Sequence, residues 1–240
     1  MVRGLGELLL TAGALVLLFV LWQLVWTDVT AAATQRATLT GLQERWAPSP
    51  DRPPPAGEPA APRAALDPAS APVPAEPGEG DSFAVLHVPR FGAGWAVGAD
   101  QGVGLRQVLN DGVLGHYPGT AMPGAVGNAA FAGHRTTYGR PLAQVDELVP
   151  GDPLVVETGE AWYVYRVTGS RVVDPSQVEV ISPDPDAPGG APTRRLITLT
   201  ACHPEYSARQ RYVVHGELAS WQPRSAGLPA ELAAAAGQAA

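Results

Sequence analysis

Leu196-Ile197-Thr198-Leu199-Thr200-Ala201-Cys202 is followed directly by His203-Pro204. The run is apolar and rich in β-branched residues, and the proline stops it. It predicts a strand over 196–201 with Cys202 at its end, facing a loop. A cysteine so placed is positioned as a nucleophile, and the plainer alternative is a small buried hydrophobe. Cys202 is the single cysteine of 240 residues. That count excludes an internal disulfide framework and any multi-cysteine zinc or iron–sulfur site.

The same texture extends outward from 81 to about 221, as short apolar runs punctuated by Gly, Pro and Asp. Strands are expected at 84–88, 95–97, 128–132, 153–157, 162–167, 171–173, 196–201 and 212–218. Eight short strands with turn signals between them indicate an all-β closed barrel or sandwich. Two short helical stretches, 105–109 and 141–148, interrupt them, the second opening on Pro141 at a first helical position. About 140 residues bury roughly two-thirds of their unfolded surface, enough for an independent core. The tail over 221–240 is Ala-rich and is expected to fray.

Residues 8–27 carry no charge and lie between Glu7 and Asp28. About 20 apolar residues at 1.5 Å each span a bilayer core of ~30 Å. Trp22 and Trp26 lie near the outer end, where aromatic rings favour the interface. The expected organisation is a cytoplasmic start at 1–7 and a transmembrane anchor at 8–27. A linker at 28–80, a barrel at 81–220 and the tail at 221–240 follow. The alternative for the anchor is a signal peptide cut near Ala31-Ala32-Ala33, whose apolar region is normally shorter. Either reading exports the rest of the chain. Between 48 and 77, eleven of thirty residues are proline. Such chain is extended at about 3.1 Å per residue, so this tether could reach about 90 Å. Residues 31–46 could prolong the anchor helix, against the weak propensity of Thr38, Thr40 and Gly41.

The chain carries 16 Arg, no Lys and a formal charge of −7. Nucleic-acid binding through a basic patch is thereby excluded. Two further positions stand at strand ends: His134, in Gly133-His134-Arg135-Thr136 after the strand 128–132, and Arg211, nine residues after Cys202. Singly, a histidine or arginine there is more often structural. Together with Cys202, in an exported β domain, they make a candidate constellation. Arg135 and His203 adjoin His134 and Cys202, and side chains of adjacent strand residues diverge. Both are therefore expected to point away from the site. His87, His116 and His215 carry no motif of their own. The acidic loop 174–186 suggests calcium, but Pro175, Pro183 and Pro185 break up its carboxylates and no calcium-loop spacing appears.

These residues resemble a known family. Thr198-Leu199-Thr200-Ala201-Cys202 is similar to the Thr-Leu-x-Thr-Cys signature of the sortases. Ala129–Arg135 resembles the strand that carries the sortase histidine, and Arg211 falls where the sortase arginine is expected. His116-Tyr117-Pro118-Gly119-Thr120 and Ala208-Arg209-Gln210-Arg211 are most similar to class E sortases of actinobacteria. The resemblance covers roughly 83–218. One departure is Ala201, where the family usually has Thr. The loss of that hydroxyl is expected to bear on rate and substrate positioning rather than on which residue is the nucleophile.

The resemblance implies an eight-stranded sortase barrel and a membrane-anchored cysteine transpeptidase with its catalytic domain outside the cell. Its implied substrate is a Leu-Ala-x-Thr-Gly-like sorting signal of an exported protein, and its acceptor a peptidoglycan precursor amine. Cys202 is implied as nucleophile, His134 as general acid and base, and Arg211 as oxyanion donor. Arg209 is the competing arginine. No metal or other cofactor enters the scheme. Tyr117, Thr200 and Ala201 are implied to bind substrate, with the Tyr117 hydroxyl accepting the N–H that Ala has and Pro lacks at the second signal position. The loop 174–193 is implied to be a lid. Two alternatives remain open: another Cys/His wall enzyme of the L,D-transpeptidase kind, and a tethered interaction domain with a dead site.

Overall fold

The computed structural model describes residues 2–47 and 65–238. Its strands are β1 (Ser82–His87), β2 (Ala96–Gln101), β3 (Leu114–His116), β4 (Gly127–Ala132), β5 (Pro153–Glu157), β6 (Ala161–Val173), β7 (Arg195–His203) and β8 (Gln210–Pro223). They close into one barrel in the order β1-β2-β3-β4-β7-β8-β6-β5. β2/β3 and β4/β7 pair in parallel and the other neighbours antiparallel. Closure leaves no unpaired edge. Alternate residues of the strands fill the interior with Leu154, Tyr163, Tyr165, Phe131, Ile197 and Leu199.

The expected number of strands is found, with two compensating differences. Residues 162–167 and 171–173 belong to the single strand β6, which passes through Gly169 with a register shift against β8. Gly169 marks a bulge rather than a turn. β3 has no counterpart in the expected set. It is three residues long with glycine at its centre, so it carries no β-propensity signal. Gly115 is required because a Cβ there would lie 2.3 Å from the Gly102 carbonyl oxygen. The two expected helical stretches are turns that close in single 3-10 turns, at Leu109–Asp111 and Val145–Glu147.

The N-terminal helix α1 runs unbroken over Val2–Trp46. Its window Arg3–Val20 has a mean hydropathy of 1.8 and is the one span among the described residues long and apolar enough to cross a membrane. Beyond Thr27 the helix lies along the barrel. Ala31 and Leu42 are buried, and the Gln35 amide donates to the Ala96 carbonyl at 3.0 Å. Thr38 sits so close to β2 that a Cβ on Gly98 would meet its methyl at 2.6 Å. These tertiary contacts override the weak propensity of Thr38, Thr40 and Gly41. Of the stretch expected to be linker, 28–46 is thus helix.

Residues 65–80 also lie against the barrel. Leu66 bridges to Trp221, and the Tyr163 hydroxyl donates to the Pro72 carbonyl at 3.1 Å. The proline-dense part of the tether, 48–64, lies outside the described residues. The tail expected to fray instead contains α2 (Ala230–Gln238). Leu232 packs on Val155, Trp162 and Val164, and Glu231 pairs with Arg166. A single buried leucine and one ion pair dock a helix that composition alone would leave loose.

Candidate active site

Parallel pairing sets Ala132 of β4 opposite Thr200 of β7. Gly133-His134 and Ala201-Cys202 therefore leave the barrel at the same end. β8 returns beside β7 with Arg211 directly opposite Cys202, which brings their Cβ atoms to about 5 Å. Cys202, His134, Arg211, Tyr117, Thr200 and Ala201 all line one cleft of about 200 Å³, closed on its far wall by Val103, Leu105 and Leu109. Six residues that span 95 positions of sequence, from Tyr117 to Arg211, meet here.

His134 is fixed through both backbone and ring. Gly133 N–H donates to the Thr200 carbonyl at 3.1 Å and Leu142 N–H to the His134 carbonyl at 3.0 Å. The ring's Nε2 lies 3.0 Å from Asn110 Oδ1. An amide oxygen only accepts, so Nε2 carries the proton and Nδ1 is left for chemistry. Tyr138 stacks on the ring at 5.1 Å. Burial lowers the His134 pKa from its ordinary value. Thr137, Tyr138 and Arg140 in the following loop have φ of 59°, 48° and 39°, a left-handed strain that the surroundings must hold. The first turn of α1 beyond the apolar span does so: Asp28 Oδ1 accepts from Gly139 N–H at 3.0 Å.

Arg211 spends Nη1 on the carbonyls of Ala208 and Gln210, both at 2.9 Å. Its Nε and Nη2 have no hydrogen-bond partner among the described residues and are left for a ligand oxygen. Arg209 is exposed and stands before β8, outside the cleft lining. Tyr117 OH lies 3.0 Å from Thr200 Oγ1, and the Thr200 hydroxyl donates to the Phe131 carbonyl at 3.3 Å. With the Thr200 proton used there, Tyr117 is the donor of the pair, and its own oxygen is left as an acceptor. The Ala201 side chain belongs to the barrel core. A threonine hydroxyl at this position would point into the core rather than stand beside the thiol.

Arg135 and His203 occupy the opposite face, as divergence of adjacent strand residues requires. Arg135 Nη1 donates to His203 Nδ1 at 2.9 Å, pairs with Asp146, and lies over the Tyr212 ring at 5.8 Å. His116 is fully buried between hydrogen bonds to Gln101 and Ala121. The loop 174–194 lays its turn Val178–Ile181 on Val173 and Val213, and Asn128 donates to its carbonyls at Val180 and Ser182. Sequence reasoning missed Asn110, Tyr138 and the apolar wall. Asn110 sits in Val108-Leu109-Asn110-Asp111-Gly112, which reads as an ordinary turn and gives no signal of a contact 24 positions away.

The profile of the sortase domain family matches residues 86–219. The chain is 35% identical to sortase SrtE2 of Streptomyces coelicolor over 227 residues, 90% of this chain and 81% of that protein. It is 38% identical to sortase SrtE1 of the same organism over 233 residues, 95% of this chain, and it spans about 60% of that relative's length. Among solved structures it is similar to the SrtA sortase from Actinomyces oris, with a TM-score of 0.64 and 40% identity over 68% of this chain and 93% of that one. It is also similar to sortase E1 from Streptomyces coelicolor, solved with a tripeptide in the active site, with a TM-score of 0.59 and 40% identity over 64% of this chain and 97% of that one. Profile, relatives and fold converge, and the chain belongs to the sortase family of cysteine transpeptidases.

Proposed function

We propose that this chain is a membrane-anchored sortase that cleaves a Leu-Ala-x-Thr-Gly-like signal between Thr and Gly and transfers the sorted protein to a peptidoglycan amine. The observation that carries this reading is the direct cross-strand pairing of Cys202 with Arg211 at the mouth that His134 shares. The Cys202 thiolate adds to the Thr carbonyl carbon. The oxyanion formed is stabilised by the free Nε–H and Nη2–H of Arg211. His134, as imidazolium, gives a proton to the Gly nitrogen as the C–N bond breaks, which leaves a thioester and a free amine. The acceptor amine then attacks the thioester, gives its proton to neutral His134, and expels the thiolate. Asn110 holds Nε2–H through both steps, so Nδ1 carries the transferred proton.

Tyr117 supplies selectivity for Ala at the second signal position. Its unspent acceptor lone pair, left by donation to Thr200, matches the N–H of Ala and finds no partner in Pro. Thr200 acts by orienting Tyr117, and Ala201 by its backbone. The loop 174–193 is the lid of the cleft. The organisation that fits is a short cytoplasmic start at 1–7, an anchor at 8–27, a connecting segment at 28–80, the catalytic barrel at 81–220 outside the cell, and the tail at 221–240. Incubating the full chain in detergent with a Leu-Ala-x-Thr-Gly peptide and an amine tests the reading. Mass spectrometry should find the fragment ending in Thr joined to the amine, and cleavage at any other bond would contradict it.

A further inference from the structure

A second cavity, of about 290 Å³, lies a few residues along β7 and β8 from Cys202 and Arg211, beneath the loop that joins β6 to β7. Arg171 of β6, His215 of β8, Leu196 of β7 and the loop residues Pro185, Asp186 and Arg194 form its walls. Arg171 and His215 are diagonal neighbours on one face of the β6/β8 pair, since Arg171 stands opposite Val213. The charges of the loop answer one another: Arg194 Nη2 donates to Asp184 and to Asp186, both at 2.7 Å. Arg171 has no such answer. Its Nε and Nη2 are buried without a hydrogen-bond partner among the described residues.

Nε–H and Nη2–H lie side by side on one edge of a guanidinium, a planar fork that matches two carboxylate oxygens. Arg90 shows what this edge holds in the same chain, where Nε and Nη2 take the two oxygens of Asp152 at 2.9 and 2.8 Å.

The protonation of His215 is set from the lid. Asn128 faces the Val180 and Ser182 carbonyls with its Nδ2, so its Oδ1 accepts the Thr198 hydroxyl at 2.8 Å. That hydroxyl has spent its only proton, and it therefore accepts Nδ1–H of His215 at 2.9 Å. The His215 Nε2 is a third buried atom without a partner among the described residues, and in the neutral ring it carries a lone pair. Burial, then the Arg171 charge, push the His215 pKa down to about 4, with Arg194 acting the same way and Asp186 opposing.

We propose that this cavity is a carboxylate-binding site in which the Nε–Nη2 edge of Arg171 takes both oxygens of the ligand. The Nε2 lone pair of His215 would repel such a ligand, so binding draws a solvent proton onto Nε2. The Nδ1–H bond to Thr198 survives that change, and the relay to the lid with it. Thr198 is four residues from Cys202 on β7, about 13 Å at 3.3 Å per residue. The carboxylate could therefore be an acidic side chain of the sorted polypeptide or a free small acid.

The full chain in detergent, with its histidine rings labelled with ¹⁵N, is titrated with sodium acetate at constant ionic strength set by chloride. The expected result is a saturable shift of His215 Nε2 toward the protonated position. Arg171→Gln should weaken the response at least tenfold. Arg171→Lys keeps the charge and loses the fork, so it should weaken too, with its other histidine signals reporting an intact fold. Signal peptides carrying Glu or Gln one or two residues before the Leu separate the sources. A lower KM for Glu that vanishes in Arg171→Gln assigns the carboxylate to the substrate, and a response to acetate with equal KM values assigns it to a free acid. No saturable response to acetate, or an equal response to chloride, overturns the proposal. Cleavage of both peptides at equal KM would leave the transpeptidase reading intact, so the two can fail separately.

Discussion

The cleft and the stretch of β7 and β8 four residues further along present the same residue types and use them in different ways. At the cleft His134 keeps Nδ1, the Tyr117 hydroxyl keeps an acceptor lone pair and Arg211 keeps Nε and Nη2, while Thr200 spends its hydroxyl on Phe131 and Tyr117. Four residues along, Asn128, Thr198 and His215 pass hydrogen bonds from one to the next up to the loop 174–194, and Asn128 and Thr198 are wholly buried. The two histidines spend opposite nitrogens, Nε2 of His134 on Asn110 and Nδ1 of His215 on Thr198. At the cleft, substitutions should act on rate. At the relay, they should act on stability.

The comparison is broken most severely at the cleft. Cys202→Ala should abolish cleavage and thioester formation while the Tm stays within a few degrees. Arg211→Ala should lower kcat/KM by about 10²–10³, the range for one oxyanion donor. A larger loss from Arg209→Ala would move the role to the exposed arginine and undo the register argument. Tyr117→Phe sharpens the contrast between rate and selectivity. The acceptor costs about 1–3 kcal/mol when left unmet, roughly 5- to 150-fold at ~1.4 kcal/mol per tenfold. The Ala peptide should lose kcat/KM and the Pro peptide should be unchanged or improved. Equal scaling of both would mean that Tyr117 only packs.

At the relay, Thr198→Val strands Asn128 Oδ1 and His215 Nδ1–H together. Chemical denaturation should show a loss of about 1–3 kcal/mol, with kcat/KM changed less than threefold. A large rate loss with no loss of stability would erase the distinction between the two regions. The smallest effect is on pH. The active form needs imidazolium and thiolate together. Where an imidazole titrates below a thiol, the acid limb of kcat/KM follows the imidazole. Burial lowers the His134 pKa, so that limb should fall below the ordinary histidine value of about 6.5. An acid limb above that value would mean that a neighbouring negative charge outweighs burial.

The barrel was legible because its core strands announce themselves by short β-branched runs, and 153–157 was found to the residue. The failures share one cause: glycine and proline have two meanings. Gly115 hid a strand by lacking propensity, and Gly169 suggested a break where the chain only bulges. The prolines near 68–77 read as free tether, yet that segment is tied down by Trp221 and Tyr163, which are distant in sequence. At the site, Cys202, His134 and Arg211 were legible from their places at strand ends and from the motif resemblance, and the structure brings all three to one cleft. Asn110 and Tyr138 were not, because they come from loops whose path depends on α1 through Asp28.

The central claim is that Cys202 forms a thioester through the Thr of the signal, with His134 as the acid. Its most direct test is mass spectrometry of the full chain quenched in acid during turnover of a Leu-Ala-x-Thr-Gly peptide without added amine. The account predicts an adduct equal to the peptide through Thr, on the proteolytic fragment that contains Cys202, and its disappearance on adding an amine. Cleavage that proceeds with no adduct on that fragment, or that persists in Cys202→Ala, would contradict it.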